Sequence, residues 1–325
     1  MARRKILITE PMPYVDEELK ILQSYAQVEI AKSTEEEQLL KLVTDVDLIM
    51  VVYGKITSKV IESASKLQGI VRYGIGIDNI DIEAASKKKI PVANVPNYAI
   101  ETVADHAMAL MLGLARRILE ADKAMRSRNW GVWTSPSPTY RGVDLSGKMA
   151  GIVGIGKIGR AVAKRALAFD MKAIAYDPYV TAEDARKLGI ELTSLQELLS
   201  KSDFVTIHAP LTSETRYLIG EDELRRMKKT SYLINTSRGS LVETKSLTKA
   251  LKEGRLAGAA LDVYPTEPPA VDDPLLNLEH VILTPHISWY TEEAVKRLEM
   301  TAVDHAVQIL EGKRPKNVAN PAIYN

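Results

Sequence analysis

The sequence predicts an α/β protein of two domains, one inserted within the other, each a parallel sheet wrapped by helices. Three observations carry that expectation. Short apolar segments alternate with amphipathic ones along nearly the whole chain, the pattern of βα units. A strand, a glycine turn, a helix and a second strand follow one another in GIVGIGKIGRAVAKRALAFDMKAIAYD, residues 151–177. The last helical pattern, residues 292–311, is long enough to return to the first domain. The expected boundaries are 1–99 with 289–325 for the discontinuous domain and 100–288 for the inserted one.

In chain order, strands are expected at 5–9 (KILIT), 28–31, 48–52, 70–73 and 92–94, with helices at 17–25, 35–43, 58–65 and 82–88 between them. No Gly-x-Gly turn follows the first strand, so this half is not expected to bind a cofactor. A single helix over 100–126 presents Val103, Ala107, Leu110, Met111 and Leu114 on one face, for burial against a core or a partner. Residues 129–147, rich in Ser, Pro, Trp and Gly, read as an irregular connection suited to subunit contacts. After Asp177 the alternation resumes, with helices at 194–200, 221–227 and 244–253 and strands at 204–208, 232–235, 258–263 and 281–283.

The glycine turn sits between a strand and a helix and has an acid about 20 residues further on, the full dinucleotide fingerprint. Gly154 allows the tight turn, Gly156 leaves room for a pyrophosphate, and Gly159 lets the helix approach the sheet closely. The helix opening at Lys157 and Ile158 aims its amides and its dipole at the phosphates. Asp177 can accept from a ribose diol and repels a 2′-phosphate, which predicts NAD rather than NADP.

Composition narrows the class. The 325 residues suffice for two domains, and 46% apolar content fills two cores. The 43 basic and 42 acidic side chains nearly cancel, so no basic field marks a nucleic-acid binder. With no cysteine there are no disulfides, thiolate nucleophiles or cysteine metal sites. The opening MARRKILITE lacks the long apolar run of a signal peptide, and the longest apolar stretch, near 107–114, is too short to span a bilayer. A soluble, cytoplasmic protein is expected.

In open α/β sheets, ligands gather beyond the carboxyl ends of the strands. Three chemically capable residues occupy such ends: Arg238 in NTSRG, Glu267 in YPTEPP and His286 in TPHIS. A guanidinium fork matches a carboxylate bidentately. A histidine gives and takes a proton near neutral pH, as carbonyl reduction requires. A carboxylate on one imidazole nitrogen fixes its tautomer and stabilises the protonated ring. His208, in HAPLT, ends another strand and is a candidate for the cofactor site.

The chain resembles the D-isomer-specific 2-hydroxyacid dehydrogenases through VRYGIGIDNID, PNYAIETVADHAMALMLGLARR, VGIGKIG, HAPLTSETRYLI, INTSRGSLV, AALDVYPTEPP and ILTPHIS. The resemblance implies a Rossmann doubly wound sheet inserted in a discontinuous flavodoxin-like substrate domain, paired as a homodimer. It implies that Arg238 binds the substrate carboxylate, that His286 is the general acid/base and that Glu267 is its partner. Cofactor contacts are expected from Gly154, Gly156, Lys157, Ile158, Gly159, Asp177, Thr102, His208, Pro210, Thr215 and Thr236, with Asp262 at the nicotinamide carboxamide. Substrate contacts are expected from Tyr73, Gly74, Ile75, Arg238, His286 and Trp289. An NAD-dependent interconversion of a 2-oxo acid and a D-2-hydroxy acid follows, with no metal, because arginine and histidine cover the developing charge. A cleft closing on hinges near 98–101 and 287–290 is expected to exclude water.

Trp289 and Tyr290 are similar to the D-lactate and D-2-hydroxyisocaproate group and to the C-terminal-binding-protein co-repressors. Phosphoglycerate and glyoxylate–hydroxypyruvate enzymes usually carry small residues there, and their specificity stands as an alternative. An NAD-sensing interaction protein is a second alternative, against which retention of Arg238, Glu267 and His286 weighs. Formate dehydrogenases place a glutamine where Glu267 stands, which disfavours that chemistry.

Overall fold

The computed structural model describes residues 3–10, 16–128 and 140–325. It divides into two compact units, Met1–Ala99 with Thr291–Asn325, and Ile100–Tyr290.

The first unit carries strands β1 (Lys5–Ile8), β2 (Gln27–Ile30), β3 (Leu48–Val51), β4 (Gly69–Arg72) and β5 (Val92–Ala93), all parallel, in the order β2-β1-β3-β4-β5. This is the flavodoxin-like strand order, with its switch point between β1 and β3. Burial follows position in the sheet. Every residue of the inner strand β3, LIMV, is buried, whereas the edge strand β2, QVEI, is not. Helix starts are set by side chains: Thr57 accepts from the Val60 amide, Asp81 from Ala84 and Thr291 from Ala294. The helix Glu292–Leu310 returns to pack on β4 and on the helix Asp16–Tyr25. Gly69 permits that approach, because a Cβ there would lie 2.7 Å from the Ile309 side chain.

Two acids meet where the helices Asp16–Tyr25 and Glu292–Leu310 pack. Glu18 and Glu299 are both buried. Burial, then the charge of Glu299 and a hydrogen bond with it, push the Glu18 carboxyl well above the ordinary carboxylate range. An acid whose folded pKa is raised favours folding fully below its unfolded pKa, and that contribution is lost as pH rises through the folded value. Melting temperature is therefore expected to fall as pH climbs from about 5 into the alkaline range, starting near the unfolded glutamate pKa. Glu18→Gln should flatten that slope and raise the alkaline melting temperature, as scanning calorimetry across pH would record.

The second unit is a seven-stranded parallel sheet of β6 (Met149–Val153), β7 (Lys172–Tyr176), β8 (Glu191–Leu192), β9 (Phe204–Ile207), β10 (Tyr232–Asn235), β11 (Gly258–Leu261) and β12 (Val281–Leu283). Its order is β12-β11-β10-β9-β6-β7-β8. Six of these strands repeat the doubly wound dinucleotide-binding order, and β12 extends it by one. The order reverses between β6 and β9, so the crevice for a ligand opens beyond their carboxyl ends.

Two differences from the sequence expectation have physical causes. The helix expected over 100–126 is two, Ile100–Arg116 and Ile118–Arg126, separated by Arg117 in the left-handed region at φ 51°. The Val143 amide takes the Ala115 carbonyl at 2.8 Å, and Gly142 lies so close that a Cβ would stand 2.3 Å from that oxygen. The segment leading into β6 thus interrupts the helical ladder. The five-residue helix Ala182–Arg186 and the two-residue β8 are too short to leave a periodic signal. Of the connection at 129–147, residues 129–139, with Trp130 and Trp133, lie outside the described residues. Among the described residues no helix is long and apolar enough to cross a membrane.

Candidate active site

The loop after β6 is built by its glycines. Gly154 is left-handed at φ 88°, and its N–H donates to the Tyr176 carbonyl at 2.8 Å. A Cβ there would lie 2.8 Å from the backbone of His208 and Ala209, so only glycine fits at the switch point. A Cβ at Gly159 would stand 2.1 Å from the Gly154 carbonyl. This glycine therefore closes the helix Lys157–Ala168 onto the loop, and the same Cβ would meet Ile152 of β6 at 3.4 Å, so the helix also approaches the sheet there. At Gly156 an added Cβ meets nothing within 4 Å. That is the open space a pyrophosphate needs.

The flanking groups fit the same ligand. Asp177 accepts from the Ile155 amide through one carboxylate oxygen and from the Tyr179 amide through the other, both at 2.9 Å. Each oxygen keeps a lone pair for a ribose hydroxyl. The Thr236 hydroxyl is buried and has no hydrogen-bond partner among the described residues, a deficit that a bound polar group would relieve. Ile158 packs its side chain on the core and Lys157 is exposed. Thr102 is half-buried in the first turn of the helix Ile100–Arg116. Thr215 donates to the Pro210 carbonyl at 2.7 Å and accepts from the Thr212 amide at 2.7 Å, closing its own turn. His208 bonds Thr206 through Nε2 at 2.9 Å, and burial pushes its pKa down to about 4, so it is neutral at pH 7.

The three strand-end candidates belong to one corner of this unit. His286 Nδ1 lies 2.7 Å from Glu267 Oε2, and Glu267 Oε1 accepts from the Tyr264 amide at 2.9 Å. Burial would raise the Glu267 carboxyl. The hydrogen bonds from His286 and Tyr264, with the charges of His286 and Arg238, outweigh it and hold the group below its ordinary value. The loop that presents Arg238 is locked by Asn235, whose Nδ2 donates to the Arg238 carbonyl at 2.9 Å, and by Ser237, which donates to the Ala209 carbonyl at 2.6 Å. A Cβ on Gly239 would lie 2.0 Å from the Tyr264 backbone, so the arginine loop and the glutamate loop interlock. Trp289 is half-buried and meets Tyr290 edge-on, with ring centroids 5.1 Å apart.

Of the groups behind the histidine, sequence reasoning had singled out only Asp262, which the resemblance implies at the nicotinamide carboxamide. Asp262 is wholly buried, and its carboxylate accepts from the Thr284 hydroxyl at 2.5 Å and from the Ile287 and Ser288 amides at 2.9 Å each. His106 Nε2 lies 3.2 Å from the Thr284 hydroxyl. The Tyr264 hydroxyl donates to the Thr284 carbonyl at 3.1 Å, and burial, then Asp262, Glu267 and Asp273, push its pKa up to about 12. Thr284 and Tyr264 were marked beforehand only as members of the TPHIS and YPTEPP motifs.

In the first unit, Tyr73, Gly74 and Ile75 follow β4. Tyr73 is buried, Gly74 adopts φ 140°, and the Ile75 carbonyl accepts from Asn94 at 2.8 Å. The loop after β3 is fixed by two side chains that sequence reasoning did not single out. Glu10 accepts from the amides of Val52 and Tyr53 at 2.9 and 2.7 Å, and Asn79 donates to the Gly54 carbonyl at 2.8 Å.

Residues 108–288 match the family described as D-isomer specific 2-hydroxyacid dehydrogenase, NAD binding domain. The chain is 43% identical over 286 residues to a glyoxylate reductase of Korarchaeum cryptofilum, covering 88% of this chain and 86% of that protein. It is 42% identical over 318 residues to a D-3-phosphoglycerate dehydrogenase of Methanocaldococcus jannaschii, covering 97% of this chain but 59% of that protein. Among solved structures, the D-lactate dehydrogenase of Aquifex aeolicus complexed with NAD and lactic acid superposes with a TM-score of 0.89 at 30% identity. The match covers 98% of this chain and 99% of that one.

Proposed function

This chain belongs to the D-isomer-specific 2-hydroxyacid dehydrogenases, and from that premise we propose that it interconverts a small 2-oxo acid and the D-2-hydroxy acid with NAD. The observation that carries the chemistry is the His286–Glu267 pair at 2.7 Å, on the same corner as the Arg238 loop. Glu267 fixes the imidazole with its Nδ1 proton inward. Nε2 is thereby left to give a proton to the carbonyl oxygen during reduction and to take it back during oxidation. Arg238 grips the substrate carboxylate with two parallel N–H donors and so sets which face of C2 is presented. Gly154, Gly156, Gly159, Asp177 and Thr236 would hold the dinucleotide, which as NADH supplies the hydride. Tyr73, Gly74 and Ile75 of the first unit are the proposed further substrate contacts.

For the acid itself we favour glyoxylate and hydroxypyruvate. The glyoxylate reductase of Korarchaeum cryptofilum is 43% identical to this chain, against 30% for the D-lactate dehydrogenase of Aquifex aeolicus. Pyruvate is a second reading, favoured by the aromatic Trp289 three residues after His286. NADH oxidation against glyoxylate, hydroxypyruvate, phosphohydroxypyruvate, pyruvate and 2-oxoisocaproate separates these. The proposal expects the highest kcat/KM for glyoxylate or hydroxypyruvate. A preference for pyruvate would move the assignment to the second reading, and tight NADH binding without turnover of any acid would sink the enzyme.

A further inference from the structure

We propose that His106 and Thr284 are positioning residues for the general acid, forming with Asp262 a one-way hydrogen-bond chain that holds the His286 backbone in place. The inference rests on the assignment of His286 as the acid.

The starting point is the backbone of His286, which lies in the left-handed region at φ 55° although the residue is not glycine. Such a conformation is strained and persists only where its surroundings over-determine it. Here the surroundings converge on Asp262. The His286 amide donates to the Asp262 carbonyl at 2.8 Å, and the next two amides, Ile287 and Ser288, donate to its two carboxylate oxygens at 2.9 Å. One residue therefore grips three successive amides around the strained position.

That grip depends on the wholly buried Asp262 carboxylate being held in one orientation. The Thr284 hydroxyl, at 2.5 Å, is its side-chain donor. A hydroxyl has one proton, and the carboxylate can only accept, so Thr284 gives that proton to Asp262. Toward His106 Nε2, at 3.2 Å, the same oxygen is left to accept. His106 must then carry its proton on Nε2. The chain runs His106 to Thr284 to Asp262, with every donor pointing the same way. It joins the helix Ile100–Arg116 to the carboxyl ends of β11 and β12.

Thr284→Val keeps the side-chain shape and removes the hydroxyl, and His106→Phe removes the first donor. Each is expected to lower kcat for the preferred 2-oxo acid by about 10–100-fold through misplacement of His286, with at most a small change in the KM and Kd for NADH, because the Asp262 carboxylate is wholly buried and committed to Thr284, Ile287 and Ser288. Thr284→Ser should restore kcat. Hydrogen exchange of the Ile287 and Ser288 amides should quicken in Thr284→Val and return in Thr284→Ser. Unchanged kcat and exchange in both variants would overturn the proposal. So would equal losses in Val and Ser, or a loss of NADH affinity parallel to that of kcat. If Thr284→Val fails to fold, His106→Phe carries the same readouts. If the wild-type protein turns over no 2-oxo acid, the assignment of His286 falls, and the amide exchange still decides whether the chain exists.

Discussion

His286→Asn is expected to lower kcat for 2-oxo acid reduction by about 10³-fold, within the range a positioned general acid contributes. The physical reason is the partition of the imidazole. Its Nδ1 is committed to Glu267 at 2.7 Å, so only Nε2 is available to the substrate oxygen. Asparagine keeps a polar side chain but has no group that changes protonation near neutral pH. The dinucleotide loop after β6 is built by Gly154, Gly156 and Gly159, without this side chain, so NADH affinity should stay as it was. Steady-state kinetics with a fluorescence titration of NADH makes the comparison. A drop of less than tenfold would remove His286 from the proton transfer.

Arg238→Gln should cost the other large factor, about 10²–10³ in kcat/KM, because two charge-assisted hydrogen bonds to the substrate carboxylate are lost together. Arg238→Lys is expected to recover only part of it, since an ammonium keeps the charge but not the planar fork. The loop should survive either change. It is held by Asn235 on the backbone carbonyl of residue 238, by Ser237, and by the close seat of Gly239 on the Tyr264 backbone. The specific check is a carbonyl substrate with no carboxylate. The penalty should vanish with it if Arg238 acts on that group, and should persist if the arginine only shapes the loop.

Legibility in the sequence tracked how local the determining physics is. The dinucleotide turn could be read directly because Gly154, Gly156 and Gly159 are close in sequence; Gly154 and Gly159 answer to contacts within or beside their own loop, and Gly156 leaves open space. Arg238, Glu267 and His286 could be nominated because strand ends in parallel sheets collect ligands. The chain behind His286 could not be foreseen, because His106 and Thr284 are 178 residues apart and meet only when the helix is laid on the sheet. The break at Arg117 was invisible for the same reason, since its cause lies at Gly142 and Val143. The paired acids Glu18 and Glu299 carry no local sequence signal, because they are buried only where two helices distant in sequence pack. Trp289 points to the D-lactate group while the relatives of higher identity are named for glyoxylate and phosphoglycerate, so one conspicuous side chain does not by itself select the substrate.

The most direct test of the proposed chemistry is the configuration of the product. Hydroxypyruvate or pyruvate would be reduced with NADH by the purified protein, and the hydroxy acid resolved on a chiral column. With the carboxylate gripped by Arg238 and the proton delivered from His286, a single face of C2 is presented, and the account predicts the D-isomer alone. L-product or a racemate would contradict it.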